Sequence, residues 1–196
     1  HIMDTLSLES VHFVGISYGG EVAIDVAIQS KERIKTLHLF NTACYTDSSL
    51  FNMGKQWLTM TKNYQGDAFY DATIPNIYGE TFKKNQHQWM KERTSLLKTL
   101  FNTPSFLDKM HRLTQSSQYT DYRASMQRIT CPVLIVSGGE DVLIPFHYQQ
   151  VIKNHISHAS HVKIEHVGHA VMYENSEMFN ALVIGFIESN RHKISL

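Results

Sequence analysis

The chain is poor in cysteine, and its charges cancel. Only two of its 196 residues are cysteine, Cys44 and Cys131, and they lie too far apart for a metal-ligand or redox motif. We therefore expect free thiols in a reducing, cytoplasmic compartment. Lys plus Arg and Asp plus Glu both number 18, so the formal net charge is zero. The sequence thus has no basic field that would attract nucleic acid or anionic lipid.

Long apolar runs are also missing. No stretch approaches the roughly 20 apolar residues that a membrane-spanning helix needs. Apolar residues nevertheless make up 42% of the chain and charged residues 18%. This composition is typical of a soluble globular domain with a real core. The expected partner is therefore a small molecule, not a membrane or a nucleic acid.

Four short apolar segments rich in β-branched and aromatic residues are predicted to be strands. They are Val11–Ile16, Lys35–Asn41, Pro132–Ser137 and His161–Val167. Helical periodicity lies between and after them, at Gly19–Ser30, Phe146–His155 and Ser176–Glu188. Strands that alternate with helices of these lengths indicate an α/β fold, with a parallel sheet and flanking helices.

The stretch between the second and third strands is too long to be a loop. Its apolar residues recur at helical spacing in three sets, around Trp57, around Leu96 and around Met110. Pro75, Gly79 and Pro104 punctuate it. We interpret residues 43–130 as an inserted helical cap, between core segments 1–42 and 131–196.

One motif follows the first strand and opens a helix. Gly15-Ile16-Ser17-Tyr18-Gly19 has the G-x-S-x-G pattern, in which a tight strand-to-helix turn exposes a serine hydroxyl. Gly15 and Gly19 are expected to be required because a side chain at either position would collide with its neighbours. The backbone N–H of Tyr18, at a helix N-terminus, can hold an oxyanion. The alternative is a structural Gly-rich turn with a passive serine.

An acid and a base follow the last two strands. Asp141 comes after the third strand, and His169 comes after the fourth. Either residue alone has a plain explanation, as a turn aspartate or a loop histidine. Together with Ser17 they form the order Ser, Asp, His, each at a strand end. Nucleophilic catalysis by serine needs these three residue types, because the imidazole removes the serine proton and a carboxylate fixes the imidazole tautomer.

Three blocks carry a family resemblance: GISYGGEVAIDVA, ITCPVLIVSGGEDVLIP and VGHAVMYENSEMFNALVIGFI. They resemble the nucleophile elbow, acid and histidine blocks of the α/β-hydrolase family, and the helical insertion falls where that family inserts its cap. The resemblance implies a Ser17-Asp141-His169 triad that uses no cofactor and no metal. It is nearest to the small esterase, lactonase and acyl-transfer branch, since dehalogenases and epoxide hydrolases of this family carry Asp where this chain has Ser17.

The expected function is hydrolysis of a small carboxylic ester, thioester or lactone through an acyl-serine intermediate. The same triad also suits an acyltransferase, in which an alcohol or thiol replaces water. A third alternative is a non-catalytic, ligand-binding remnant of the fold. Product analysis with an added acceptor separates the first two, and labelling by a fluorophosphonate separates both from the third.

The resemblance covers only the C-terminal half of the hydrolase fold. The family places further strands and a second oxyanion donor before its elbow strand, so we expect a truncated chain with impaired turnover. We also expect the exposed edge of the first strand to pair with a second chain, as a homo-oligomer or with a companion.

Other conspicuous residues have simpler explanations. His155, His158 and His161 recur every third residue, but no carboxylate or cysteine joins them, so no metal site is predicted. Glu174 is interpreted as a structural hydrogen-bonding residue. Aromatic residues of the insertion are expected to pack its helices, although an acyl pocket is the alternative. They are Trp57, Tyr64, Phe69, Tyr70, Phe82 and Trp89.

Overall fold

A computed structural model describes residues 1–191 and contains one four-stranded parallel sheet. The strands follow the chain order β1-β2-β3-β4. Their bounds are Val11–Ile16 (β1), Ile34–Phe40 (β2), Val133–Gly138 (β3) and Ser160–Ile164 (β4). Because all pairings are parallel, the carboxyl ends of all four strands meet at one edge of the sheet. The predicted α/β class with a parallel sheet and flanking helices is confirmed.

The described part of the chain contains ten α-helices. Those before β2 are Ile2–Thr5 (α1) and Tyr18–Gln29 (α2). Those between β2 and β3 are Ser48–Lys62 (α3), Gly66–Ile77 (α4), Glu80–Asn85 (α5), His87–Phe101 (α6) and Pro104–Ser116 (α7). Those after β3 are Phe146–His155 (α8), Val171–Glu174 (α9) and Ser176–Arg191 (α10).

Apolar clusters cover both faces of the sheet. On one face, Ala23 and Ala27 of α2 and Ile152 of α8 pack against the strands. On the other face, Phe179 and Phe186 of α10 pack against Phe40, Leu134 and Val136. Strands buried on both sides explain why β2 and β3 read as continuous apolar runs.

Helices α3–α7 form a third apolar cluster of their own. Its buried members include Phe69, Tyr70, Phe101 and Leu107, and Trp57 and Trp89 pack against it. The interpretation of residues 43–130 as an inserted helical cap stays a prediction. The predicted segment 131–196 runs past the described residues at positions 192–196.

Two local predictions are wrong. β4 ends at Ile164, three residues earlier than predicted, because the chain turns at His166, whose φ is 60°. Pro75 does not break the insertion but lies inside α4. A proline in the last turn costs α4 little, because burial of Phe69, Tyr70 and Ile74 on the same helix outweighs the lost backbone hydrogen bond.

The two cysteines are free and buried, and burial raises the pKa of Cys44 to about 12 and that of Cys131 to about 11. Within residues 1–191, no helix combines the length and apolar character that crossing a membrane requires.

Among the same residues, β1 has a strand neighbour on one side only, β2. Pairing of a second copy with the outer side of β1 remains a proposal, and light scattering at micromolar concentration tests it.

Candidate active site

The elbow after β1 places Ser17 in a strained backbone conformation. Its φ is 54° and its ψ is −125°, angles that an ordinary L-residue seldom adopts. The turn is held by the Ser17 N–H, which donates to Phe40 O at 2.9 Å, and by the Thr42 hydroxyl, which donates to Ser17 O at 2.7 Å. Although Ser17 is the N-cap of α2, its hydroxyl makes no capping hydrogen bond. The side chain is therefore available to a ligand.

Two glycines make this turn possible, Gly15 as predicted and Gly20 in place of the predicted Gly19. A Cβ on Gly15 would lie 2.4 Å from Gly19 O and 2.8 Å from Ala23 Cβ, so the expected collision is real. A Cβ on Gly19 would meet nothing within 4 Å, so the expected collision there is wrong. Gly20 takes that role instead, because its Cβ would lie 2.5 Å from the Thr42 side chain. Close approach of α2 to β1 and to the chain after β2 requires both Gly15 and Gly20.

Asp141 and His169 are in direct contact. His169 Nδ1 lies 2.8 Å from Asp141 Oδ2, and both residues are buried. The backbone N–H groups of Leu143 and Ile144 donate to Asp141 Oδ1 at 3.0 and 2.9 Å. Because Oδ2 bonds Nδ1, the histidine presents its other nitrogen, Nε2, away from the acid.

Asn41 is a part of this site that sequence reasoning missed. Its amide Nδ2 donates to Asp141 Oδ2 at 2.7 Å and to Gly168 O at 3.2 Å. Asn41 is fully buried and has a φ of 46°, in the left-handed region that asparagine tolerates. Its position directly after β2, at the strand edge shared by the other site residues, was the available signal.

The insertion holds the histidine loop through backbone contacts. The His169 N–H donates to Ile77 O at 2.8 Å. The Glu174 carboxylate accepts from the N–H groups of Gly79, Gly168 and Ala170 at 3.1, 2.7 and 3.1 Å. Glu174 therefore joins the end of α4 to the loop that carries His169, which agrees with the structural role predicted for it. Burial raises its pKa above the ordinary value.

Ser17 and His169 line the same pocket, together with Tyr18 at the N-terminus of α2. The pocket volume is about 120 Å³. Much of its wall is apolar and comes from Leu50, Met53, Trp57, Leu113 and Leu143. Of the six aromatic residues considered above, Trp57 is the pocket-lining one. Phe69, Tyr70, Phe82 and Trp89 pack in the cluster of the insertion, and Tyr64 is exposed.

The three histidines of the every-third-residue pattern have separate partners. His155 Nδ1 lies 2.9 Å from Val151 O, and His158 Nε2 lies 3.0 Å from Cys131 O. His161 Nε2 lies 2.8 Å from the Ser137 hydroxyl. The described residues contain no group of three or more His, Cys, Asp or Glu arranged to hold a metal ion.

A four-stranded parallel sheet with the elbow serine, acid and histidine at its carboxyl edge defines the class of α/β enzyme folds with a nucleophile elbow. The family model described as "alpha/beta hydrolase fold" matches residues 1–176. The chain therefore belongs to the alpha/beta hydrolase fold family.

Several proteins to which this chain is similar are enzymes. MGS-M2, an alpha/beta hydrolase enzyme from a Medee basin deep-sea metagenome library, is 35% identical, with a TM-score of 0.95 over 100% of this chain and 71% of its own. The pimeloyl-[acyl-carrier protein] methyl ester esterase of Nitrosomonas europaea is 29% identical over 84% of this chain and 66% of its own length. A 2-hydroxy-6-oxononadienedioate/2-hydroxy-6-oxononatrienedioate hydrolase of Dechloromonas aromatica is 23% identical over 95% of this chain and 65% of its own. The chain thus spans about two thirds of the length of the two curated relatives.

Proposed function

We propose that this hydrolase cleaves a small carboxylic ester, thioester or lactone through an acyl-Ser17 intermediate. The observation that carries the proposal is the 2.8 Å contact between His169 Nδ1 and Asp141 Oδ2, with His169 and Ser17 lining the same pocket. The esterase from Nitrosomonas europaea supports the ester class. The small, largely apolar pocket supports a small acyl substrate.

Each group has one role in the proposed first step. The Ser17 hydroxyl oxygen attacks the carbonyl carbon of the substrate, and its proton moves to Nε2 of His169. Asp141 keeps the imidazole in the tautomer that has Nε2 free, and its charge stabilises the imidazolium. The backbone N–H of Tyr18 donates to the oxyanion that forms.

The intermediate then collapses, and the bond between the carbonyl carbon and the leaving alcohol or thiol breaks. His169 returns its proton to the leaving group, which departs and leaves an ester on Ser17. In the second step His169 removes a proton from water, and the resulting attack on the acyl carbon frees the acid and regenerates the Ser17 hydroxyl.

Labelling with a fluorophosphonate tests the proposal, because the probe phosphonylates an activated serine hydroxyl and releases fluoride. We expect the adduct on Ser17, found by mass spectrometry of peptides, and no adduct in Ser17→Ala. Ser116 and Ser117, also near the pocket, are internal controls. An adduct on either of them, or equal labelling of Ser17→Ala, contradicts the assignment.

A further inference from the structure

The pocket that holds Ser17 contains a carboxyl group that the proposed mechanism does not use. Glu21 lies in the first turn of α2, one turn after Ser17, and lines the same pocket. Its Oε2 accepts a hydrogen bond from the Thr120 hydroxyl at 3.1 Å. Among residues 1–191, no Lys, Arg or His forms an ion pair with it. Burial raises the pKa of Glu21 to about 7, and an ionised Glu21 is therefore a desolvated charge without a counter-charge.

A second polar group lies in the same wall. Gln118 is 6% exposed and lines the pocket. Its amide nitrogen lies 1.9 Å from the place a Cβ would take on Gly54, so the amide occupies space that only a glycine in α3 leaves open. No described residue hydrogen-bonds this side-chain amide. Because Gln118 lines the pocket, its side-chain amide can hydrogen-bond a ligand or water there.

A comparison with Glu174 separates a structural acid from an acid that faces a ligand. Both carboxyl groups are desolvated, and burial raises the pKa of each. Glu174 accepts from three backbone N–H groups, which accounts for its burial. Glu21 accepts from one hydroxyl and faces the pocket. Its remaining hydrogen-bonding capacity is therefore directed toward whatever the pocket binds.

We propose that Glu21 is a specificity-determining residue that binds a cationic amine at one end of the substrate, with the Gln118 amide as a second polar contact. This inference rests on the proposed ester hydrolysis at Ser17. The apolar residues Leu50, Met53 and Trp57 would contact the hydrocarbon part of such a substrate, and Glu21 supplies the charge that its ammonium group pairs with. Substrates that end in a carboxylate are disfavoured, because two like charges would meet in a site of low polarity.

Binding to the Ser17→Ala protein tests the inference without any turnover. The probes are butylammonium chloride and 1-butanol, which have similar apolar surface, measured by calorimetry at pH 8. We expect the amine to bind at least about tenfold more tightly than the alcohol, as a charge-assisted hydrogen bond in a buried site provides. Adding Glu21→Gln should remove that preference. Adding Asp25→Asn should keep it, because Asp25 lies one turn further along α2, outside the pocket lining.

Equal affinity for the two probes overturns the inference, and so does a preference that survives Glu21→Gln. If Glu21→Gln does not fold, equal affinity of the two probes for the Ser17→Ala protein still overturns the inference.

A second arm uses the wild-type chain and two esters with the same leaving group, those of 5-aminopentanoic acid and hexanoic acid. We expect kcat/KM to be about tenfold higher for the amino ester. Turnover of both esters at equal rates contradicts the inference alone. Absence of turnover and of fluorophosphonate labelling, while the amine still binds selectively, contradicts the proposed hydrolysis alone.

Discussion

The acid–histidine side of the site and the nucleophile side are built differently. Asp141 accepts four hydrogen bonds in a buried environment, from His169, Asn41, Leu143 and Ile144. Ser17 lies on a strained turn, and its hydroxyl makes no capping bond. On the acid–histidine side the protein's own groups satisfy both carboxylate oxygens of Asp141. On the nucleophile side, Ser17 and Glu21 line the pocket and keep hydrogen-bonding capacity that a substrate can use. A site of this kind fixes its base before the substrate arrives and leaves recognition to the other wall.

The largest expected effect concerns the fixed side. In Asp141→Asn the side-chain oxygen can still accept from Leu143 and Ile144. The amide nitrogen then lies opposite His169 Nδ1, where it favours the tautomer with its proton on Nε2, and it also loses the hydrogen bond that Asn41 donates to Oδ2. We expect kcat of any ester turnover to fall about 10⁴-fold, with the melting temperature changed by a few degrees. Steady-state kinetics and thermal unfolding of the same preparation check this. A loss below tenfold would show that Asp141 does not orient His169.

The next effect concerns the turn that carries Ser17, where two glycines behave differently. Gly15→Ala places a Cβ within 2.4 to 2.8 Å of backbone and Ala23, so we expect loss of several kcal/mol of stability and little folded protein. Gly19→Ala meets nothing within 4 Å, and alanine favours a helix over glycine by about 1 kcal/mol. We expect Gly19→Ala to be as stable as the wild type or slightly more stable. Denaturant unfolding of the two variants makes the comparison, and equal destabilisation of both would contradict it.

The contrast between the two sides also explains what the sequence could predict. Strand β1 was predicted with its observed bounds, and β2 and β3 to within one residue, because buried parallel strands are short apolar runs bounded by polar residues. The placement of Asp141 and His169 after successive strands follows from the same reasoning. The family resemblance implied that the two residues pair, whereas their 2.8 Å separation depends on side-chain packing.

The parts that were missed depend on contacts between distant segments. Helix α4 escaped prediction because Pro75 is a local signal against a helix, whereas its burial comes from helices elsewhere in the insertion. Asn41 meets Asp141 across 100 residues of sequence. The need for glycine at position 20 comes from Thr42, across a strand–helix contact, and not from the elbow pattern itself. Glu21 reads as an ordinary first-turn acid until the pocket around it is known.

The smallest expected effect concerns the pH dependence of stability on the open side. An isolated glutamate titrates near 4.5, and burial raises the pKa of Glu21 to about 7. The folded protein therefore binds more protons than the unfolded chain between these two values. The contribution of Glu21 to stability is fully present below pH 4.5, is lost as the pH rises toward 7, and stays lost above it. The shift corresponds to about 3 kcal/mol at most.

Glu21→Gln removes this titration and can keep the hydrogen bond from Thr120. We expect Glu21→Gln and the wild type to have nearly equal free energies of unfolding at pH 4.5, and the variant to be more stable by up to about 3 kcal/mol at pH 8.

Cys44 and Tyr122, the neighbours whose pKa values Glu21 raises, remain protonated throughout this range. His38, whose pKa burial lowers to about 4, titrates alike in both proteins and cancels in the difference. Urea unfolding at pH 4.5, 6 and 8 measures the difference, with Asp25→Asn as the control for removal of a charge on α2. If the difference in free energy of unfolding between Glu21→Gln and the wild type does not grow with pH, Glu21 is hydrated in the folded protein. The amine preference, which was argued from a Glu21 carboxylate in surroundings of low polarity, would then lose its basis.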